Sequence, residues 1–405
     1  MQVYLVGGAV RDELLGLDVK DKDFVVVGST PEEMIAAGFR PVGKDFPVFL
    51  HPKTHDEYAL ARTERKTAKG YKGFVVHASP EVTLEEDLAR RDLTINAIAK
   101  DSTGKFIDPY NGLEDIQSKT LRHVSDAFAE DPVRILRAAR LSARFQDFCI
   151  APETNHLMQH MVGAGEVDAL VAERVWQELA KGLMEDKPSR MFDALRACHA
   201  LKKILPELDK LWAIPQSAQH HPEIDIGTQV MLAIDYAARQ NYSLAVRFAT
   251  LVHALGKNVM PTLVLTQHIG HQASDIQLVK DVCKRLRVPN ECKELAQIVA
   301  KFNAKLHQVL QMEPSALLNF LVELDAIRQP ERFKDFLRAC ESYARESASS
   351  ENYTILAADL LQKALAVAIE VDAGAVASAY NEPEIIKMAV FNARLDKVKA
   401  MIEEV

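Results

Sequence analysis

The sequence predicts an α+β protein, in which strands near the N-terminus are followed by a long helical remainder. Two short apolar runs, residues 3–6 and 24–27, have the length of strands, and the pair Gly7-Gly8 marks a tight turn after the first run. From about residue 145 onward, leucine and alanine recur at three- and four-residue spacing, which is typical of helices. The pattern is interrupted near four prolines: Pro206, Pro215, Pro222 and Pro261.

Composition limits the classes of protein that fit. The chain has 405 residues, which at roughly 100–200 residues per domain predicts about two to four structural units. No apolar stretch approaches the ~20 residues that span a bilayer, and the N-terminus lacks a signal peptide's features, so we expect a cytoplasmic protein with no membrane partner. Five scattered cysteines without Cys-x-x-Cys spacing fit a reducing compartment and argue against zinc. The net charge of −8 mildly opposes nucleic-acid binding, although local basic patches matter more than the sum.

The first strand, the glycine pair and the next residues predict a strand–turn–helix unit that can bind phosphate. Glycine at positions 7 and 8 lets backbone N–H groups approach an anion closely. Arg11, in the first turn of the helix, adds a guanidinium fork for phosphate oxygens. The alternative is an ordinary strand–turn–helix in which glycine only supplies a positive φ. The segment contains neither the Walker lysine loop nor Gly-x-Gly-x-x-Gly.

Asp21 and Asp23 stand at the start of the second apolar run. In a strand, both carboxylates would point to the same face, about 6–7 Å apart. Two carboxylates held so close repel each other unless a hard divalent cation such as Mg²⁺ lies between them. Asp-x-Asp is also common in turns, so the pair indicates a metal site only in combination with the glycine turn before it.

Together, these residues resemble the head of the bacterial tRNA nucleotidyltransferases, the class II CCA-adding enzymes of the polymerase β superfamily. The resemblance is strongest from residue 1 to about 180 and extends over nearly the whole chain. Four further segments match the family in order and spacing: residues 90–97 (ribose recognition), 108–112 (hinge), 130–134 (base templating) and 173–178 (the helix that supports templating).

The resemblance implies a polymerase-β-like head, a mixed sheet with helices, followed by an all-α neck, body and tail. We expect the catalytic head at 1–140, a neck that completes the nucleotide pocket at 141–205, a body at 206–310 and a tail at 311–405. Arginines and lysines of the tail, including Arg328, Arg332, Lys334, Arg338 and Arg345, are candidates for tRNA contacts, although a capping helical bundle with ordinary surface cations explains them equally well.

Residues 130–144 predict an amphipathic helix, with Pro132 tolerated in its first turn. At about 100° per residue, Ile135, Leu136, Ala139 and Ala143 share one side, and arginines gather on the other. A solvated arginine face is the ordinary explanation. The resemblance implies instead that Asp131 and Arg134 read the edge of the incoming base, and that Arg137 and Arg140 reach its triphosphate.

Arg91, Asp92 and Asn96 are predicted to lie on a further helical turn, with Asp92 and Asn96 four residues apart on one face. The resemblance makes them, with Arg91, nucleotide-binding residues that contact the ribose hydroxyls. Helix capping by Asp92 is the competing interpretation. Glu57 is a weaker candidate for a third carboxylate and is not predicted to bind metal.

A basic segment at residues 62–74 carries five cations among glycines and aromatics, which predicts a loop. It resembles the family's flexible loop, which helps the site to accept ATP after two cytidines. Its presence disfavours a CC-only enzyme but does not separate CCA addition from A-only addition.

Residues 220–227 and 247–257 resemble the HD phosphohydrolase domain that some bacterial members carry. Gln229 stands where the first ligand histidine is expected, and His253 is followed by Ala254 instead of aspartate. An amide and a methyl group cannot replace an imidazole and a carboxylate as metal ligands. His268 and His271 remain, but we expect a helical body with little or no hydrolase activity.

The function that follows is addition of the 3′-terminal CCA to tRNA without a nucleic-acid template, with pyrophosphate release. Its implied partners are a tRNA lacking all or part of that end, CTP and ATP, and its implied cofactor is Mg²⁺ at a two-metal site on Asp21 and Asp23. A monomer is favoured. A poly(A) polymerase of the same superfamily, an A-only enzyme and a non-enzymatic RNA-binding relic are the alternatives.

Overall fold

A computed structural model of the chain describes residues 1–42, 47–66, 74–214, 225–256, 272–344 and 351–403. The chain divides into two compact units, residues 1–204 and 205–405. The first combines strands with helices, and the described part of the second is helical. The α+β class is therefore confirmed, whereas the finer division into head, neck, body and tail stays a prediction.

The first unit is built on a mixed sheet. Its strands are β1 Gln2–Val6, β2 Asp23–Val27, β3 Arg40–Val42, β4 Val48–Leu50, β5 Glu57–Leu60, β8 Ala99–Lys100 and β9 Phe106–Ile107. Their order is β3-β4-β5-β2-β1-β8-β9, in which β2 and β5 are parallel and the other neighbours antiparallel. The described residues of this unit also form two separate two-stranded sheets: β6 Arg62–Lys66 with β7 Phe74–Ala78, and β10 Thr120–Leu121 with β11 Cys149–Ile150.

Nine helices are described in this unit: α1 Gly8–Leu14, α2 Pro31–Ala36, α3 Leu84–Ala89, α4 Gly112–Gln117, α5 Val133–Arg144, α6 Pro152–Gly163, α7 Ala172–Leu183, α8 Ser189–Ala197 and α9 Ala200–Ile204. Helix α3 begins at a capping box, in which Thr83 accepts a hydrogen bond from the N–H of Glu86 and the Glu86 carboxylate accepts from Thr83. Its Leu88 is fully buried in the core under the sheet, beside Val6 and Val25. Burying such a leucine contributes about 1.5–3 kcal/mol.

Helix α5 begins later than predicted, and its arginine side is less exposed. It begins at Val133 with Pro132 at its N-cap, while Glu130 ends a short 3₁₀ helix. The predicted apolar side is buried, but so are Arg134 and Leu141 on the opposite side. Helices α7 and α8 both pack against α5, which accounts for burial around most of its circumference.

The second unit contains ten described helices: α10 Pro206–Asp209, α11 Ile226–Arg239, α12 Leu244–Val252, α13 Gln272–Arg285, α14 Asn290–Leu306, α15 Pro314–Glu323, α16 Pro330–Ala344, α17 Glu351–Ile369, α18 Ala373–Ala377 and α19 Pro383–Glu403. Asp225 and Ser243 cap α11 and α12 with side-chain oxygens. Helices α11, α12, α14 and α16 pack together and supply its core. Within the described ranges, none of the helices is long and apolar enough to cross a membrane.

Gly112 is required for packing at the start of α4. A Cβ there would lie 2.8 Å from Cγ1 of Ile98 and closer still to the carbonyl oxygen of Thr94. At Gly163, the last residue of α6, a Cβ would meet no atom within 4 Å. The two glycines are therefore a matched pair for substitution.

We predict that Gly112→Ala destabilises the protein by about 1–3 kcal/mol, because the backbone of residue 94 must move to admit the methyl group. Gly163→Ala should leave stability unchanged or raise it by about 0.5–1 kcal/mol, since alanine lowers the entropy of the unfolded chain. Urea denaturation of both variants measures the difference. Equal stability of the two would contradict the packing described for α4.

Candidate active site

The turn between β1 and α1 brings two guanidinium groups against the backbone. Gly7 has φ 72°, which glycine adopts without strain. A Cβ on Gly7 would lie 3.1 Å from Nη1 of Arg91, and one on Gly8 would lie 3.3 Å from Nη2 of Arg11. The predicted strand–turn–helix is confirmed, and glycine here serves both its backbone conformation and the close approach of two arginines.

Arg11 is buried in a network of carboxylate and amide oxygens. Its Nε and Nη2 donate to Oδ1 of Asp12 at 2.9 and 2.7 Å, and its Nη1 donates to Oδ1 of Asn96 at 2.6 Å. The other oxygen of Asp12 accepts from Nη2 of Arg144 at 2.9 Å. Burial lowers the pKa of Arg11, while Asp12 opposes that change. The sequence analysis did not single out Asp12 or Arg144, and the position of Asp12 directly after Arg11 was the available signal.

Asp92 joins this network to helix α5. Its Oδ1 accepts from Nδ2 of Asn96 at 3.0 Å, and its Oδ2 accepts from Nε of Arg137 at 2.7 Å. Burial alone would raise the pKa of Asp92, but the charge of Arg137 and the hydrogen bonds from Asn96 and Arg137 outweigh it and hold the pKa well below the ordinary range. Asp92 is therefore a charged carboxylate that fixes an arginine of α5.

The predicted helical turn at residues 91–96 is wrong. Helix α3 ends at Ala89, and only Thr94–Asn96 forms a short 3₁₀ helix. The extended Leu93 bridges to His123, and Oδ1 of Asp92 accepts the N–H of Leu93 at 2.9 Å, which offers the backbone an alternative to a helix. Asp92 and Asn96 nevertheless meet through their side chains, whereas the capping interpretation of Asp92 is not confirmed, because Leu93 is the N-cap of the 3₁₀ helix and no side chain caps it.

Asp21 and Asp23 lie at the entrance to β2. The strand begins at Asp23, so the expectation that both residues belong to one strand is wrong: Asp21 precedes it. The parallel register places Glu57 beside Asp23 on the neighbouring strand. Burial raises the pKa of Asp23, Arg91 lowers it, and the negative charge of Asp21 raises it further, so the pKa lies above its usual value. Asp21, Asp23 and Arg91 are thus electrostatic neighbours.

These carboxylates fit a divalent cation. A carboxylate whose pKa is raised by burial and by a like charge gains stability from a cation that compensates both. Oxygen donors suit Mg²⁺, which is usually shared with substrate phosphates. Within the described residues, however, His, Cys, Asp and Glu form no group of three or more that could hold a metal without such a substrate.

The two residues predicted to read the base have fixed positions at the start of α5. Asp131 accepts from Nη1 and Nη2 of Arg174 at 3.1 and 2.7 Å. Arg134 donates to the carbonyl oxygens of Ala127 and Arg90 at 2.7 and 2.6 Å. Arg174 was not predicted as a site residue, although it lies in the segment recognised as supporting the templating helix.

Arg137 and Arg140 differ in accessibility. The side chain of Arg137 is 39% exposed, whereas that of Arg140 is 13% exposed. Nε of Arg140 donates to Oε2 of Glu178 at 2.7 Å, and its Nη1 lies 3.5 Å from Oε1 of Glu185. Burial raises the pKa of Glu185, and Arg140 opposes that change. Arg137 therefore presents more of its side chain to solvent than Arg140 does.

The second unit holds Gln229 and His253 in one buried cluster. The hydroxyl of Tyr343 donates to Oε1 of Gln229 at 2.7 Å, and its ring packs edge-on against His253 with centroids 4.1 Å apart. Nδ1 of His253 is hydrogen-bonded to the carbonyl oxygen of Thr250 at 2.7 Å, and Ala254 is buried beside it. The other four histidines of this region lie outside the described residues: His220, His221, His268 and His271. The centre of the basic segment in the first unit, residues 67–73, also lies outside them. Arg345 of the tail lies outside them as well.

Comparison with known families divides the first half of the chain into two matches. Residues 3–122 match the poly A polymerase head domain. Residues 147–211 match the family described as the probable RNA and SrmB-binding site of polymerase A. The first match contains the glycine turn, Asp21, Asp23 and residues 90–97.

Relatives match the chain over its whole length. The multifunctional CCA protein of Methylobacillus flagellatus is 62% identical over 400 residues, which cover 99% of this chain and 97% of that protein. That of Burkholderia multivorans is 58% identical over 410 residues, covering 100% and 99%.

Solved structures show the same fold. The Thermotoga maritima CCA-adding enzyme complexed with tRNA has a TM-score of 0.66 at 20% identity, covering 100% of this chain and 91% of that one. The Bacillus stearothermophilus CCA-adding enzyme in complex with CTP has a TM-score of 0.65 at 21% identity, covering 99% and 93%.

Proposed function

Because this chain belongs to the family of bacterial class II CCA-adding enzymes, we propose that it is the tRNA nucleotidyltransferase that builds and repairs the 3′-terminal CCA of tRNA. The observation that carries this proposal is the identity with multifunctional CCA proteins, which spans nearly the full length of the chain. Its substrates would be CTP, ATP and a tRNA that lacks all or part of the CCA end. The cluster of arginines beside Asp21 and Asp23 is the chemistry that such a reaction needs.

Asp21 and Asp23 would hold Mg²⁺, and we propose two ions shared with the triphosphate. Bound Mg²⁺ supplies positive charge that orients the 3′-hydroxyl of the tRNA and neutralises the triphosphate as pyrophosphate leaves. The chain's own residues position the rest. Arg11, Arg91 and Arg137 would supply positive charge to the triphosphate, and the absence of a side chain at Gly8 would let a phosphate approach the backbone closely.

Asp92 and Asn96 support recognition of a ribose. A ribose hydroxyl can donate to a carboxylate oxygen of Asp92, and Asn96 carries both a donor and an acceptor. Because Arg137 and Arg11 already hold these two side chains, they need no reorganisation when the nucleotide binds. This would distinguish a ribonucleotide from a deoxyribonucleotide.

Asp131 and Arg134 would replace a nucleic-acid template. A carboxylate supplies only acceptors and a guanidinium only donors, so the pair presents a defined hydrogen-bonding edge to the incoming base. Arg174 fixes the first and two backbone carbonyls fix the second. A fixed edge can accept cytosine or adenine and reject guanine or uracil, since a mismatched base leaves buried polar groups unpaired. Arg140, held by Glu178, is the second candidate contact for the triphosphate.

A poly(A) polymerase is the second candidate, because the head matches a domain described by that activity. Both enzymes would use the same carboxylates and arginines, so the head alone does not separate them. The similarity of the remaining chain to CCA proteins favours CCA addition. The two activities differ in product length.

We predict that Asp21→Ala and Asp23→Ala each reduce incorporation of CTP into tRNA lacking its 3′ end by at least about 1,000-fold, because lost metal-ion stabilisation amounts to several kcal/mol. Binding of the tRNA should remain measurable, since neither carboxylate attracts a polyanion. Asp18→Ala removes an exposed carboxylate of the same loop and is the matched control. Retained turnover in either variant would reject the assignment.

We also propose that the second unit has little or no metal-dependent hydrolase activity. Tyr343 contacts both Gln229 and His253, and the amide of Gln229 and the methyl group of Ala254 cannot replace an imidazole and a carboxylate as metal ligands. The pure protein should therefore show no nickel-stimulated hydrolysis of 2′,3′-cyclic AMP above a no-enzyme blank. Hydrolysis that nickel stimulates and chelator abolishes would contradict this proposal.

A further inference from the structure

Asp87, in the last turn of α3, is a fully buried carboxylate to which the reaction described above assigns no role. Its two oxygens have different partners. Oδ1 accepts from the N–H of Arg62 at 3.3 Å and from Nε and Nη2 of Arg90 at 3.1 and 2.7 Å. Oδ2 accepts from Nη2 of Arg91 at 3.2 Å.

The first oxygen anchors the root of a hairpin. Arg62 is the first residue of β6, and Nε of Arg90 also donates to its carbonyl oxygen at 2.9 Å. Both backbone groups of that residue are therefore held by the end of α3. Burial alone would raise the pKa of Asp87, but Arg90 and Arg91 outweigh it and lower the pKa, so the group is a carboxylate anion.

The second oxygen holds an arginine that faces the catalytic carboxylates. Nη1 of Arg91 would lie 3.1 Å from a Cβ on Gly7, and Val6, the residue before Gly7, pairs with Asp23 on the neighbouring strand. Nη1 also lies 3.5 Å from the carbonyl oxygen of Asn96. An arginine is a long, flexible side chain, so an ion pair with a rigid buried carboxylate restricts where its guanidinium can lie. The contact at Oδ2 thus fixes the guanidinium of Arg91 beside the glycine turn, which follows the strand that pairs with Asp23.

We propose that Asp87 is a positioning residue for nucleotidyl transfer, which acts by holding Arg91 towards the triphosphate and the Asp21–Asp23 pair. This inference rests on the proposed function and adds a residue that touches neither substrate nor metal. The same carboxylate ties Arg91 to the root of the β6–β7 hairpin, so the position of the hairpin and the position of Arg91 are set together.

Because the two oxygens of Asp87 bind different partners, a substitution that changes only one of them tests the proposal. Asp87→Asn has the same shape, and its single amide oxygen is expected to face the three donors from Arg62 and Arg90. Its NH₂ group then faces Arg91 and cannot accept from it. The substitution should lower kcat/KM for CTP addition about 10- to 100-fold, because a displaced contact of this kind costs up to about 100-fold.

Thr83→Ala is the matched control. It removes the N-cap of the same helix, which destabilises α3 without touching Arg91. If Asp87→Asn acted only by loosening α3, Thr83→Ala at an equal loss of thermal stability would lower kcat/KM equally. We expect Thr83→Ala to retain the wild-type kcat/KM within about twofold, as is usual for a change far from the site.

A double-mutant cycle with Arg91→Ala tests whether Asp87 acts through Arg91. If Asp87 acts through Arg91, then Asp87→Asn has no further effect on kcat/KM once Arg91 is alanine. Multiplicative losses would overturn the proposal while leaving the proposed function intact. An Arg91→Ala variant with wild-type kcat/KM would overturn both this proposal and the role given to Arg91. Failure of the wild-type protein to extend tRNA would reject the proposed function itself.

Asp87→Glu replaces Asp87→Asn in this experiment if the asparagine variant does not fold. It retains the buried negative charge, but its longer side chain must shift Arg91. The expected loss in kcat/KM is again absent in the Arg91→Ala background, and a loss that persists there would overturn the proposal.

Discussion

The ion pair between Asp92 and Arg137 is the interaction on which the geometry of the active site depends. It connects helix α5 to the segment after α3, and through Asn96 it extends to Arg11 on α1. Removing Arg137 would leave the buried carboxylate of Asp92 without this partner, at a cost below the ~3–5 kcal/mol of a fully buried pair because the Arg137 side chain is 39% exposed. A pair of apolar side chains would pack there without that cost. We therefore infer that the role of this carboxylate is to fix the positions of the arginines.

The same principle explains how an acidic protein can hold a polyanionic substrate. Each arginine assigned to the nucleotide already has an oxygen partner: Arg11 with Asp12, Arg91 with Asp87, Arg134 with backbone carbonyls, Arg137 with Asp92 and Arg140 with Glu178. The partners limit mutual repulsion and fix each guanidinium before the nucleotide arrives. The net charge of −8 is compatible with a local surface that attracts phosphate, because the local arrangement of arginines matters more for such binding than the charge summed over the chain.

Local sequence patterns predicted the parts of this site that depend on local physics. The strand, the glycine turn and helix α1 follow from apolar runs and from the conformational freedom of glycine, and the structure contains all three. The prediction was wrong where side chains compete with the backbone: at Asp92 a carboxylate bound the next N–H, and only a short 3₁₀ helix formed after it. Pro132 likewise ended up outside α5, so the helix began three residues later than predicted.

The contacts that hold the site were not predictable from periodicity. Arg144 meets Asp12 across 132 residues of sequence, and Arg174 meets Asp131 across 43. No helical or strand repeat relates such positions. Asp87 is local to Arg91, but an acidic residue within a polar helix ordinarily indicates a solvated face. Its complete burial and its hydrogen bonds show that it instead binds two arginines, Arg90 and Arg91.

The central claim is that fixed protein side chains select the nucleotide and that addition then stops. The most direct measurement is product length on three tRNA substrates, ending at the discriminator base, at C and at CC, each incubated with CTP, ATP or both. The account predicts that CTP adds two residues to the first and one to the second, and that ATP adds a single residue to the third. A lengthening poly(A) product, or addition of ATP alone to every substrate, would contradict it.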